Sequence, residues 1–126
     1  MNCAYLRYGL FTHLCNALII IFLCAASSVR AEPKTIVVFG DSLTQGYGLP
    51  ADLGFVPRMG YWLAAQGVSV RMVNAGVSGD TTAGGLARLD WTLAEPADFV
   101  IVNLGSNDML RGLDPRLTYE NLQKIM

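Results

Sequence analysis

Two apolar, largely β-branched runs frame this chain: Thr35-Ile36-Val37-Val38-Phe39, stopped by Gly40, and Phe99-Val100-Ile101-Val102. Neither alternates with polar residues, so neither can leave one face of a sheet in water. Such strands need cover on both sides, and a chain of 126 residues finds it most directly in helices between the strands. The intervening sequence has that character. Phe55, Met59, Trp62 and Leu63 recur at helical spacing, Pro57 is tolerable in a first turn, and Gly67 is a stop. Val68 to Val73 alternates apolar residues against Ser69 and Arg71, as a strand near a sheet edge does. Asp80, Thr81 and Thr82 are N-cap residues for a helix carrying Leu86, Leu89 and Leu93. Asp114-Pro115 opens a last helix, with Asp114 as cap and Pro115 at the first helical position.

Strand and helix alternate three times, which predicts right-handed crossovers and a parallel sheet between two helical layers. The expected fold class is α/β, a three-layer α/β/α arrangement with a flavodoxin-like sheet. The marginal second strand implies the order 2-1-3, with the ligand crevice at the carboxyl ends of the first and third strands. Ser42 follows the first strand and Asn107 the third, so polar chemistry and topology converge.

Residues 1–31 read as an export signal and residues 32–126 as the folded part. Arg7 supplies a positive n-region, Leu18 to Leu23 an apolar core, and Val29-Arg30-Ala31 a cleavage site before Glu32. The strongly apolar stretch from Ala17 to Ala26 is shorter than the ~20 residues of a membrane span. No stable membrane anchor is therefore expected after cleavage, and the destination is a periplasm or the exterior. This segment also inflates the 52% hydrophobic content of the chain. It holds Cys3, Cys15, Cys24 and the one histidine, His13, so the expected mature chain has neither a disulfide framework nor a thiolate metal site. A net charge of −1 and the lack of a basic stretch argue against nucleic acid as partner.

Gly40-Asp41-Ser42-Leu43 places a serine just past a strand, where Asp41 or Ser42 could equally serve as a helix cap. Neither the Gly-x-Ser-x-Gly elbow nor a dinucleotide-type Gly-x-Gly-x-x-Gly is found after the first strand. Two further loops at the same end change the balance. Asn74-Ala75-Gly76-Val77-Ser78-Gly79-Asp80 has glycines that allow a backbone N–H to face a developing oxyanion. Leu104-Gly105-Ser106-Asn107-Asp108 offers the Asn107 side-chain amide as a second donor.

Together these segments resemble the GDSL (SGNH) hydrolases: Val38 to Gly48 their first sequence block, Asn74 to Leu89 their second, Leu104 to Gly112 their third. The blocks are similar to those of bacterial thioesterase I, arylesterase and lysophospholipase L1-like members. The resemblance implies that Ser42 is the nucleophile, with the Ser42 and Gly79 N–H groups and the Asn107 side chain as oxyanion hole. Asp41 and Asp108 match family positions and are assigned to hydrogen bonding between loops. The implied substrate is a small acyl ester, thioester or lysophospholipid, with no metal or organic cofactor. A carbohydrate O-acetyl esterase is the rival on the same scaffold. A noncatalytic binding module or pseudoenzyme, and a flavodoxin-like nucleotide binder, are rivals outside this chemistry.

The family's base is a histidine in an Asp-x-x-His block near the carboxyl terminus, and no such block occurs here. Leu117, Leu122, Ile125 and Met126 continue a helical pattern with no Gly or Asn cap. Residues 32–126 are accordingly expected to be the first part of a longer SGNH domain, with weak or no activity alone.

Overall fold

The computed structural model describes residues 32–126. The expected signal over residues 1–31, with its cysteines and His13, lies outside the described residues. Along the described part run β1 (Lys34–Gly40), α1 (Ser42–Gln45), α2 (Phe55–Ala65), β2 (Val70–Gly76), α3 (Thr82–Thr92), β3 (Phe99–Asn103), α4 (Ser106–Leu110) and α5 (Pro115–Ile125). No helix among the described residues is long and apolar enough to cross a membrane.

The sheet has the expected order, β2-β1-β3, and both pairings are parallel. β1 is central, and its Val37, Val38 and Phe39 form the core at 5%, 0% and 0% exposure. Helices lie on opposite faces. Gly60 of α2 approaches Met72, which pairs with Ile36; a Cβ on Gly60 would sit 3.1 Å from Met72 Cγ. Gly85 of α3 approaches the alternate residue Phe39, whose ring carbon would be 3.3 Å from a Cβ there. Because strand side chains alternate between faces, these two contacts define the two outer layers. At the far end, Asp98 accepts from Lys34 Nζ (2.7 Å) and from Thr35 N–H (2.8 Å), joining the starts of β1 and β3. The Lys34 hydrogen bond, then that of Thr35, holds the Asp98 carboxyl below its ordinary range.

Three details depart from the sequence reading. β2 begins two residues later than expected and continues to Gly76. Val68 is absent from it because its N–H returns to Leu63 O (3.0 Å), while Gly67, at φ +77°, donates to Ala64 O (2.9 Å). That pair of bonds is a helix-closing Schellman arrangement, so Val68 belongs to the end of α2. Asn74 to Gly76, expected as loop, stays in register with Val38 to Gly40.

The buried face of α2 is also rotated. Val56 (3% exposed) leads it, with Met59, Gly60 and Leu63 half-buried, whereas Phe55 and Trp62 are 47% and 62% exposed. The spacing 56-59-60-63 is a helical stripe one residue away from the aromatic one. The third departure is in cover rather than order: 2-1-3 puts β3 at an edge of the described sheet as expected, but Phe99 and Val100 are exposed where an unbroken apolar run implied cover on both faces.

Candidate active site

The register aligns the last residues of the three strands: Gly40 lies beside Gly76 on one side and Asn103 on the other. The loops that follow therefore emerge at one level. Gly40 is required there because Asn103 O would lie 2.7 Å from a Cβ, and Thr44 Oγ1 is nearer still.

Asp41 then leaves the strand and caps α1, accepting from Leu43 N–H at 3.0 Å. Ser42 thus becomes the first residue of a single helical turn, half-buried, with Gly46 (φ +83°) closing the turn onto Ser42 O at 3.0 Å. Asp41 is the cap, and the same turn places Ser42 at the carboxyl end of β1. The second Asp41 oxygen accepts from Ser106 Oγ and, at 3.4 Å, from Asn107 Nδ2. Among the described residues, no side chain hydrogen-bonds the Ser42 hydroxyl.

After β2, Val77 N–H donates to Gly40 O (2.9 Å) and Asp80 N–H to Val77 O (3.1 Å). This four-residue turn has Gly79 in its third position at φ +83°, the place where a β-turn of the second type demands a residue without Cβ strain. Asn107 Nδ2 donates to Asp80 O at 2.8 Å, and Arg111 Nη2 to Gly79 O at 2.7 Å. Arg88 joins the same turn to β1, donating from Nε to Asp80 Oδ2 (2.6 Å) and from Nη2 to Gly40 O (3.0 Å).

Ser42 at the start of α1, Gly79 in the turn after β2 and Asn107 in α4 thus stand in three segments that are tied pairwise. Asn107 is the crossing point, because its amide reaches the residue before Ser42 and the residue after Gly79. Arg88 and Arg111 escaped the sequence reading. The available signal for Arg88 was a charged residue at helical spacing from Gly85 and Thr92, on the face that α3 turns to the sheet.

Asp108 is 2% exposed and accepts from Thr82 N–H (2.8 Å), Thr82 Oγ1 (2.5 Å) and Thr118 Oγ1 (3.2 Å). It therefore binds the starts of α3 and α4 to α5, the loop-tying role expected of it. Burial opposes its ionisation, but the combined hydrogen bonds from Thr82 and Thr118 outweigh burial and hold its pKa below the ordinary value. A group with a depressed folded pKa stabilises the fold above its unfolded pKa and loses that contribution as pH falls through the folded value. Asp108→Asn should lower stability by about 1–3 kcal/mol near neutral pH, since an amide cannot accept from all three donors. Urea midpoints at pH 6 and pH 3 test this: the gap between wild type and variant should narrow in acid, and a constant gap would refute it.

Two concavities adjoin these loops. One of about 520 Å³ runs along β2 between Val37, Val73, Val77, Arg88 and Trp91, and another of about 460 Å³ is bounded by Gly105, Met109, Leu113 and Thr118. Neither is lined by Ser42, Gly79 or Asn107.

Comparison with known proteins gives a consistent set of relatives. Residues 38–126 match the profile of the GDSL-like Lipase/Acylhydrolase family. Esterase TesA of Pseudomonas aeruginosa is 45% identical over 98 residues, covering 76% of this chain and 48% of that protein. An arylesterase of Vibrio mimicus is 37% identical over 109 residues, covering 86% and 54%. The crystal structure of AlinE4, an SGNH-hydrolase family esterase, superposes with a TM-score of 0.74 at 42% identity, covering 76% of this chain and 52% of that one. The chain spans about half the length of the relatives it matches.

Proposed function

This chain belongs to the GDSL-like lipase/acylhydrolase family, and from that premise we propose that residues 32–126 carry the nucleophile and oxyanion hole of a serine hydrolase for acyl esters or thioesters. The observation that carries the reading is the double engagement of Asn107 Nδ2, at 2.8 Å to Asp80 O and 3.4 Å to Asp41 Oδ2. It sets the amide between the nucleophile loop and the Gly79 turn. The longer of the two bonds is the weaker, and that N–H is the one available to a substrate.

In the reaction, Ser42 Oγ bonds to the acyl carbon and its proton passes to a base. The carbonyl oxygen takes up the electron pair, held by the Ser42 and Gly79 N–H groups and Asn107 Nδ2. Collapse breaks the bond to the alcohol or thiol, which leaves with a proton, and water then cleaves the acyl-serine. The carbon bearing the leaving group is the same in esters and thioesters, and lysophospholipids fall within the first class. Residues 32–126 contain no histidine, so these residues supply the electrophilic half of the machinery and not the imidazole base.

An aryl phosphonate ester tests the assignment directly, because phosphonylation forms a stable O–P bond and releases the phenolate. Peptide mapping by mass spectrometry should find the adduct on Ser42 and none in Ser42→Ala. An adduct shared equally among other serines would overturn the assignment of Ser42.

A further inference from the structure

Arg88 makes more contacts than helix-to-sheet packing requires. Besides its bonds to Asp80 and Gly40, its Nη1 donates to Thr92 Oγ1 at 3.2 Å, and its guanidinium carbon lies 4.2 Å from the Phe39 ring centroid. Thr92 Oγ1 in turn donates to Arg88 O at 2.8 Å. The side chains of Arg88 and Asp80 are each only 16% exposed. The Gly40 carbonyl also receives Val77 N–H at 2.9 Å, so both its lone pairs are in use. Backbone and cation converge on one oxygen, in the peptide that precedes Ser42 by a single residue.

We propose that Arg88 is a positioning residue that sets the separation between Ser42 and the Gly79 N–H; the proposal rests on the serine-hydrolase reading above. The planar guanidinium spans the two loops: one nitrogen addresses the end of β1, another addresses Asp80. Asp80 is held through its N–H by Val77 O and through its carbonyl by Asn107. Fixing its carboxylate from the β1 side therefore fixes the peptide adjoining Gly79, a glycine whose own torsions are otherwise soft. A lysine, a point charge without the fork, can meet one of these partners but not both with the same geometry. Stacking on Phe39 keeps the guanidinium plane oriented between them.

Amide hydrogen exchange on the ¹⁵N-labelled full chain tests the inference without turnover. In Arg88→Met, Val77 and Asp80 N–H should exchange at least about tenfold faster, with Val38 and Phe39 in the core changed by less than about twofold. Arg88→Lys should recover part of the protection. Asp80→Asn, which keeps an acceptor but removes the charge, should give a smaller acceleration confined to the same two amides. Unchanged exchange at Val77 and Asp80 in Arg88→Met overturns the proposal. Acceleration spread through Val38 and Phe39 in either Arg88→Met or Asp80→Asn also overturns it, because Arg88 would then be a packing residue only. A phosphonyl adduct shared equally among other serines would sink the hydrolase reading while leaving the exchange result to be read by itself.

Discussion

The 126-residue chain should hydrolyse nitrophenyl esters slowly, at a Ser42-dependent rate that climbs about tenfold per pH unit from 7 to 9. A serine hydroxyl is a poor nucleophile until its proton is taken, and a positioned base contributes about 10²–10⁴ in rate. Residues 32–126 hold no histidine. The neighbouring carboxylate is no substitute, since both Asp41 oxygens are engaged by Leu43 N–H, Ser106 and Asn107. Lys34 is bound to Asp98 at the opposite end of the sheet. Among the described residues hydroxide is then the remaining base, and its concentration sets the slope. The oxyanion donors still act, so Ser42→Ala should fall to the buffer background at every pH. A rate that levels off between pH 6 and 7, near the ordinary histidine value, and vanishes in Ser42→Ala would show that a base among these residues has been overlooked.

Much of this arrangement was legible in the sequence, for a physical reason. The unbroken apolar runs of β1 and β3, Gly67 and Asp114-Pro115 act locally: each restricts its own backbone whatever surrounds it. The order β2-β1-β3 followed from burial pattern and crossover handedness, and the three loops at one end followed from the order. The stripe on α2 was misplaced because Phe55 and Trp62 are large and apolar, while the residue that seats the helix, Gly60, contributes only the absence of a side chain. The extent of β2 was misjudged for a similar reason, since Asn74-Ala75-Gly76 reads as loop until Val38 to Gly40 are set beside it. Arg88 was invisible because its partners, Gly40 O and Asp80, lie 48 and 8 residues away in sequence. Local rules reach caps and strands; ties between loops depend on the assembled sheet.

Gly76→Ala should be among the most damaging single methyl groups in the described residues, lowering stability by about 3 kcal/mol or more and abolishing phosphonylation of Ser42. At the end of β2, a Cβ on residue 76 would lie 2.7 Å from both Gln45 Cα and Thr44 C, with Gln45 N nearer still. All three are backbone atoms of the turn that begins at Ser42, so relief by rotation of a side chain is not available. Either β2 withdraws from β1, or α1 moves and takes Ser42 with it. Gly48→Ala is the control. Gly48 has φ +78° and no atom within 4 Å of its Cβ position, so alanine there meets only the torsional cost of about 1 kcal/mol. For a domain of this size, about 4–8 °C is lost per kcal/mol, so Tm should fall by more than about 12 °C at Gly76 and by roughly 5 °C at Gly48. Ser42 should remain reactive in Gly48→Ala. Equal losses in the two variants would mean that glycine torsion, rather than contact between β2 and the nucleophile turn, governs this end of the sheet.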